Sequence, residues 1–402
     1  MELANIIKSL ARQYAEEVVQ HRRHLHAHPE LSFQEHKTMQ YIAQQLEAYG
    51  LSPQTGIAGT GVLVQIEGQN PSQRTLALRA DMDALPITEA NEVSYKSKTE
   101  GVMHACGHDA HTASLLGTVR ILSHLRDAFE GTIKCLFQPG EEKFPGGASL
   151  MIAEGVLEAQ AGFAAPKGIL GQHVMPFLPV GKVGFREGKY MASADEIYMT
   201  IRGKGGHGAM PEMTVDPVII TAQILVALQQ IISRNCSPKM PSVLSFGKVM
   251  AQGATNIIPN EVYVEGTFRT FDETWRHEAH RKIKQMAEGM AAAMGALCEI
   301  DIKVGYPHLK NHPELTRRAR KDAEVFLGPE NVVELDLWLA GEDFAYYSQK
   351  TEACFYRLGT RNEARGIVSS VHTPTFDIDE TALEIGAGLM AWLALQEIGR
   401  DA

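Results

Sequence analysis

Long apolar runs, paired cysteines and basic clusters are all missing from this chain of 402 residues. No apolar run reaches the ~18 to 20 residues of a membrane span, and Met1 to Ala15 carries charges where a secretory leader has its apolar centre. The expectation is a cytoplasmic protein. No run of Lys or Arg stands out, and 48 acidic against 38 basic side chains leave a net charge of −10. That balance argues against a nucleic-acid backbone as partner and favours a small substrate, cationic or neutralised by metal. The five cysteines, Cys106, Cys135, Cys236, Cys298 and Cys354, are odd in number and show no paired spacing, so reduced thiols are the simplest reading. Internal repeats and low-complexity linkers are absent as well.

What is present is enough chain for two or three domains and a large core. The first ~50 residues read as a helix, a turn at His28 and Pro29, and a second helix ending at Gly50. Strands follow at Gly61 to Ile66, Thr75 to Arg79, Thr132 to Phe137 and Gly168 to His173. Between the second and third of these, His111 to Leu125 puts Ala113, Leu116, Val119 and Leu122 on one helical face. Alternating strands and helices predict an α/β fold with a mixed, largely parallel sheet sandwiched by helices.

The middle of the chain reads differently. Strands at Glu196 to Arg202, Ser242 to Met250, Glu261 to Thr270 and Glu299 to Val304 alternate with helices at Val215 to Ser233 and Glu273 to Met294. That order is βαββαβ, the ferredoxin-like arrangement. The predicted organisation is therefore an outer domain of residues 1–184 and 306–402, closed by a helix at Glu380 to Glu397. Residues 185–305 form an inserted domain, with hinges near Gly184 and Tyr306.

The densest chemical cluster is His104-Ala105-Cys106-Gly107-His108-Asp109-Ala110-His111, in a loop opening a helix. Thiolate and imidazole are the ligands that zinc and similar borderline metals prefer, and Gly107 lets neighbouring ligands turn toward one centre. Further ligand-type residues sit at strand ends: Asp81 and Asp83, Glu141 and Glu142, and His173. In an open α/β sheet such ends converge on one site. Two adjacent glutamates suit a division of labour, one binding metal while the other moves a proton. The glycines of Gly203 to Gly208 and Gly59-Thr60-Gly61 lie outside any strand-to-helix junction, which argues against a dinucleotide or phosphate loop. His24, His26 and His28 read as a helix-to-turn segment with a structural role.

With these residues in place the chain resembles a known family. The stretches RADMDALP (Arg79 to Pro86), HACGHDAHTA (His104 to Ala113), FQPGEE (Phe137 to Glu142), GQHVMP (Gly171 to Pro176), GKGGHGAMP (Gly203 to Pro211), NIIPNEV (Asn256 to Val262), AGEDFAYY (Ala340 to Tyr347) and VHTPTFDID (Val371 to Asp379) carry it, in order and nearly end to end. They are similar to the amidohydrolases that include hippurate hydrolase, N-acyl-L-amino-acid amidohydrolase and the plant indoleacetyl-amino-acid hydrolases. This is a branch of the dinuclear metallopeptidases with aminoacylase and carboxypeptidase G.

The resemblance implies a metal-dependent enzyme that cleaves the amide of N-acyl-L-amino acids with two divalent ions per subunit, zinc, manganese, cobalt or nickel. It implies Cys106 as the ligand shared between metals, with His108, Glu142, His173 and His372 as the others. Glu141 becomes the general base and acid, Asp81 and Asp83 orient groups around the metals, and His207 on the inserted domain stabilises the oxyanion in a neighbouring subunit's site. Asn256, Arg269 and Gly341 become substrate contacts, Arg269 through a carboxylate. A homodimer through an edge strand of the inserted domain follows. Two departures bear on the substrate: Lys143, Phe144 and Pro145 intervene before Gly146-Gly147, and Glu212 stands where relatives commonly have histidine.

Alternatives at this point are a metallo-carboxypeptidase or dipeptidase acting on short peptides, a silent relative that only binds conjugates, and a structural zinc protein. The last two fit poorly. Glu141 and all five implied ligands are present, and two carboxylates beside them make an open set rather than a closed four-ligand cage.

Overall fold

In a computed structural model the described residues are 2–159 and 162–400. They form two compact units. One comprises the chain up to Gly188, Lys310–Asp336 and the chain from Asp343 on; the other comprises Lys189–Leu309 and Leu337–Glu342.

The first unit is built on an eight-stranded sheet. Edge to edge its strands are Gln54–Ile57, Gly61–Glu67, Thr132–Gln138, Thr75–Asp81, Gly168–Pro179, Glu352–Arg361, Val183–Phe185 and Val332–Glu334. The four central strands are mutually parallel, while the first two and Val183–Phe185 introduce antiparallel pairs. Thr75–Asp81 and Thr132–Gln138 are buried along their whole length, as strands covered on both faces must be. Helices His108–His124 and Thr381–Ile398 contact both the sheet and Glu2–Ala27. They are buried on nearly every side, and the small and apolar residues of Thr381–Ile398 leave almost no polar face. Cys135 and Cys354 are fully buried here and act as small core residues.

The helix expected from His111 begins at His108. Its first turn holds His108, Asp109 and His111, polar yet buried, so a search for apolar spacing finds only the turns after it. The strand expected to end at His173 runs on to Pro179.

The second unit carries a four-stranded antiparallel sheet in the order Ser242–Met250, Glu261–Thr270, Asp195–Arg202, Leu297–Val304. Helices Pro217–Gln230 and Glu273–Ala293 pack together and against it. In Asp195–Arg202, Ile197, Met199 and Ile201 face the core while their neighbours do not, the period-two pattern of a half-buried strand. Asp216 accepts hydrogen bonds from the amides of Val218 and Ile219, and Pro217 occupies the first helical position. That cap starts the helix two residues later than the apolar run suggests.

Two expectations need correction. Pro217–Asn235 is, by length and composition, long and apolar enough to cross a membrane, contrary to the expectation that no such run exists. It turns Ile220, Ile224, Leu228 and Ile231 into the core of this unit and leaves Ile219 and Val226 exposed. The division of the chain also falls a few residues later than 184/185 and 305/306, and Leu337–Glu342 groups with the second unit. The cause is backbone pairing: Trp338 donates to the Tyr190 carbonyl at 2.9 Å and its own carbonyl accepts from Ala192 at 3.0 Å.

Candidate metal centre

Parallel strands Thr75–Asp81, Thr132–Gln138 and Gly168–Pro179 bring their carboxyl ends together in the first unit. Asp81 ends one, Glu141 and Glu142 follow the next, and His173 lies within the third. The Cys106 loop enters helix His108–His124 through Gly107, whose φ is +84°. A Cβ on Gly107 would lie 2.5 Å from Val174 Cγ2, so only glycine fits between the two ligand residues. His372 also holds a left-handed conformation, φ +61°, an uncommon one for a residue with a Cβ. Its amide donates to the Ala105 carbonyl at 2.7 Å, which ties the distant chain segment to the Cys106 loop.

The structure brings all five expected ligands together. Cys106 Sγ lies 3.6 Å from His173 Nε2 and 3.3 Å from His372 Nε2. His372 Nε2 is 3.1 Å and His108 Nε2 3.9 Å from Glu142 Oε1. Ligand atoms of Cys106, His108 and His173 lie within 4.8 Å of one another, as do those of Cys106, Glu142 and His372. Two candidate groups therefore share the thiol. Glu141 is buried beside them, grouped with His108 and Glu142, and accepts from the Asp343 amide at 3.3 Å.

Burial and neighbouring charges shift these groups in different directions. Burial and the neighbouring Glu142 push the Cys106 thiol up. Hydrogen bonds to Cys106 and Glu142 push the His372 imidazole up to about 10. Burial, with Arg357 nearby, pulls His173 well below its ordinary range, which leaves it neutral and able to ligate. His108 Nε2 is buried with no hydrogen-bond partner, a loss of about 1–3 kcal/mol for a polar group. A thiol, three imidazoles and a carboxylate with one nitrogen lone pair left over are a donor set that fits divalent ions of the zinc type.

The two aspartates orient different groups. Asp83 Oδ1 accepts from His108 Nδ1 at 3.1 Å, and its Oδ2 accepts from Ser32 Oγ at 2.6 Å and the Glu142 amide at 3.0 Å. That carboxylate fixes the ring of one expected ligand and the backbone of another. Asp81 instead bonds His111 Nδ1 at 2.6 Å and Arg79 at 2.7 Å. Burial opposes a charge on Asp81, but Arg79, with His108 and His111, holds its carboxyl well below the ordinary range.

Several supporting residues carry no functional expectation from the sequence. Arg79 and Gln138 both reach the buried Asp343 carboxylate, which also accepts from the Ala148 amide. Glu35 accepts from the Gly140 amide at 2.9 Å and from Thr60 at 2.6 Å, holding the turn that precedes Glu141. His26, expected to be structural, bonds Asp109 and Glu89, and Arg22 also donates to Asp109. That network fixes the first turn of the ligand-bearing helix. His104 has both ring nitrogens buried without partners, belongs to none of the ligand groups, and is held down to about 4 by burial. Arg79, Gln138 and Asp343 fall inside recognisable motif stretches; Glu35 and His26 carry no signal of their own.

The remaining expected residues belong to the second unit. His207 sits in a two-residue strand paired with Ile257–Ile258, is exposed, and its Nδ1 accepts the Ala209 amide at 3.1 Å. Asn256 is beside it, its carbonyl accepting from Gly208 at 2.9 Å. Arg269 donates to Thr267 at 3.2 Å, and a Cβ on Gly341 would lie 3.4 Å from its guanidinium. The structure thus places His207 with Asn256 and Arg269 with Gly341.

Comparison with known proteins places the chain in a family. Residues 77–396 match the model of peptidase family M20/M25/M40. The chain is 45% identical over 308 residues to the N-acyl-L-amino acid amidohydrolase of Geobacillus stearothermophilus, covering 77% of this chain and 81% of that one. It is 36% identical over 399 residues to thermostable carboxypeptidase 2 of Saccharolobus solfataricus, covering 98% and 99%. A dinuclear metal-binding peptidase of the M20 family from Bacillus subtilis superposes with a TM-score of 0.82 at 34% identity, covering 96% of this chain and 99% of that one. With the ligand cluster, these matches show that the chain belongs to peptidase family M20/M25/M40 and is a metal-dependent hydrolase.

Proposed function

We propose that the protein is an N-acyl-L-amino-acid amidohydrolase that uses two divalent ions held by Cys106, His108, Glu142, His173 and His372. The carrying observation is the pair of ligand groups that share Cys106, with Glu141 buried beside them. When bound, zinc, manganese, cobalt or nickel would supply Lewis acidity toward water and the scissile carbonyl. Glu141 takes a proton from the attacking water as its oxygen bonds to the carbonyl carbon. It returns that proton to the nitrogen as the carbon–nitrogen bond breaks. Asp83 keeps the proton of His108 on Nδ1, and Asp81 holds its neighbours in place. His207 Nδ1 accepts an amide, so in the neutral ring the proton is on Nε2, where it can donate to the developing oxyanion of a second copy's substrate. Asn256, Arg269 and Gly341 contact the substrate, Arg269 pairing with the amino acid's carboxylate.

A homodimer through the second unit accompanies this reading. The edge strand Ser242–Met250 leaves Val249 and Met250 exposed, which suits pairing with a second copy. The five thiols, all unpaired, suit a reducing, cytoplasmic setting. Carboxypeptidase action on short peptides is the second reading, favoured by the match to a carboxypeptidase over nearly the whole chain. A panel of N-acetyl and N-benzoyl amino acids and dipeptides, assayed on wild type and Glu141→Gln, tests both. The expected result is preferred cleavage of the acyl amino acids, with Glu141→Gln retaining its metal and losing about 10²–10⁴-fold in turnover. Substantial turnover in Glu141→Gln contradicts the role given to that carboxylate.

A further inference from the structure

His111 is the one ligand-type residue of the Cys106 loop whose two ring nitrogens are both committed elsewhere. Its Nδ1 faces Asp81 at 2.6 Å and its Nε2 accepts the Val174 amide at 2.9 Å. Sheet register explains why it is needed. Strand Thr75–Asp81 pairs with Gly168–Pro179 only as far as Arg79↔Gly171, so past that point this edge of Gly168–Pro179 has no strand beside it, while Glu352–Arg361 continues along the other edge, with Leu358 opposite Val174. Val174 is buried, and backbone groups that face the open edge need partners other than a strand. His111 takes the N–H. The Val174 carbonyl accepts from His173 Nδ1 at 2.7 Å, which leaves His173 Nε2 facing Cys106.

We infer that His111 is a positioning residue for the ligand His173. Asp81 fixes the His111 proton on Nδ1, Nε2 then anchors the Val174 backbone, and the anchored carbonyl sets the ring of His173. Arg79, 2.7 Å from the other Asp81 oxygen, keeps that carboxylate oriented. Asp81, placed at the strand's end, thereby orients a metal ligand through two intervening residues, His111 and Val174. The inference deepens the proposed function, since it rests on His173 being a metal ligand.

The test is a titration of chelator-stripped protein with Co²⁺, followed by calorimetry and by thiolate-to-cobalt absorption. His111→Gln places an oxygen where Nε2 was and still accepts the Val174 amide; His111→Asn reaches Asp81 but not Val174; His111→Phe keeps the bulk and loses both. Wild type should bind two equivalents. His111→Asn and His111→Phe should weaken one equivalent by about tenfold or more, with altered absorption, while His111→Gln stays within about threefold of wild type. Thermal melting confirms that each variant is folded. If His111→Asn and His111→Phe bind both equivalents as wild type does, the inference is overturned. Equal weakening in His111→Asn and His111→Gln also overturns it, because a packing role alone would produce that pattern. A wild type that holds fewer than two equivalents removes the proposed function, and the inference with it.

Discussion

Replacing Asp83 by asparagine separates holding the fold from holding the metal. The carboxylate is buried and accepts three hydrogen bonds, from Ser32, the Glu142 amide and His108 Nδ1. Asparagine keeps the shape, and its single oxygen serves best at the Oδ2 position, where two donors meet. Its NH₂ then faces His108 Nδ1 and donates, which moves the imidazole proton to Nε2, the nitrogen that faces Glu142. A protonated Nε2 cannot ligate. The affinity for metal should fall about 10- to 100-fold, the usual effect of losing a ligand's orienting partner, equivalent to about 1.4–2.8 kcal/mol. Stability should fall by only about 1 kcal/mol, since Ser32, the Glu142 amide and His108 Nδ1 each keep a partner. Asp83→Ala instead leaves three donors stranded and should cost about 3–5 kcal/mol of stability as well. Cobalt titration of stripped protein and thermal melting measure the two effects separately. Wild-type metal affinity in Asp83→Asn would refute the assignment of the His108 proton.

Gly107→Ala should cost about 1–3 kcal/mol by overpacking against Val174, with a further ~1 kcal/mol for the left-handed backbone; an unchanged melting temperature and metal affinity contradict the tight turn. Burial works against the charge of Glu273, yet its hydrogen bonds from His308 and Arg276 hold it down to about 2, against an ordinary value of 4.5. A depressed carboxyl stabilises the folded state above its unfolded value, and that stability is lost as pH falls through the folded one. The stability difference between wild type and Glu273→Gln should therefore shrink as pH drops from about 4.5 toward 2. Denaturant titrations across that range check it, and a gap independent of pH contradicts the pairing.

Much of this molecule is legible in its sequence because its chemistry is local. Apolar alternation marks Asp195–Arg202 and the long buried helices, and the ferredoxin-like order follows from the element sequence. The five proposed ligands stand out because thiol, imidazole and carboxylate cluster at strand ends or inside specific motifs. The polar first turn at His108 is not readable by periodicity, since its residues are buried for bonding rather than for hydrophobicity. Nor does the sequence tell Asp81 from Asp83. They lie two residues apart, yet one closes a strand and bonds His111 while the other, past the strand's end, bonds His108. Glu35 and Ser32 matter only through chain segments far away, Gly140 and Asp83, and no local pattern announces such contacts.

Central to the proposed function is that two divalent ions sharing Cys106 drive amide hydrolysis. The direct measurement is the rate of amino-acid release from N-acetyl and N-benzoyl amino acids as chelator-stripped protein is reloaded with each candidate metal. Stripped protein should release a negligible amount, and the rate should rise to a plateau at two equivalents per chain. Full activity after chelation, or a plateau reached at one equivalent, would contradict that claim.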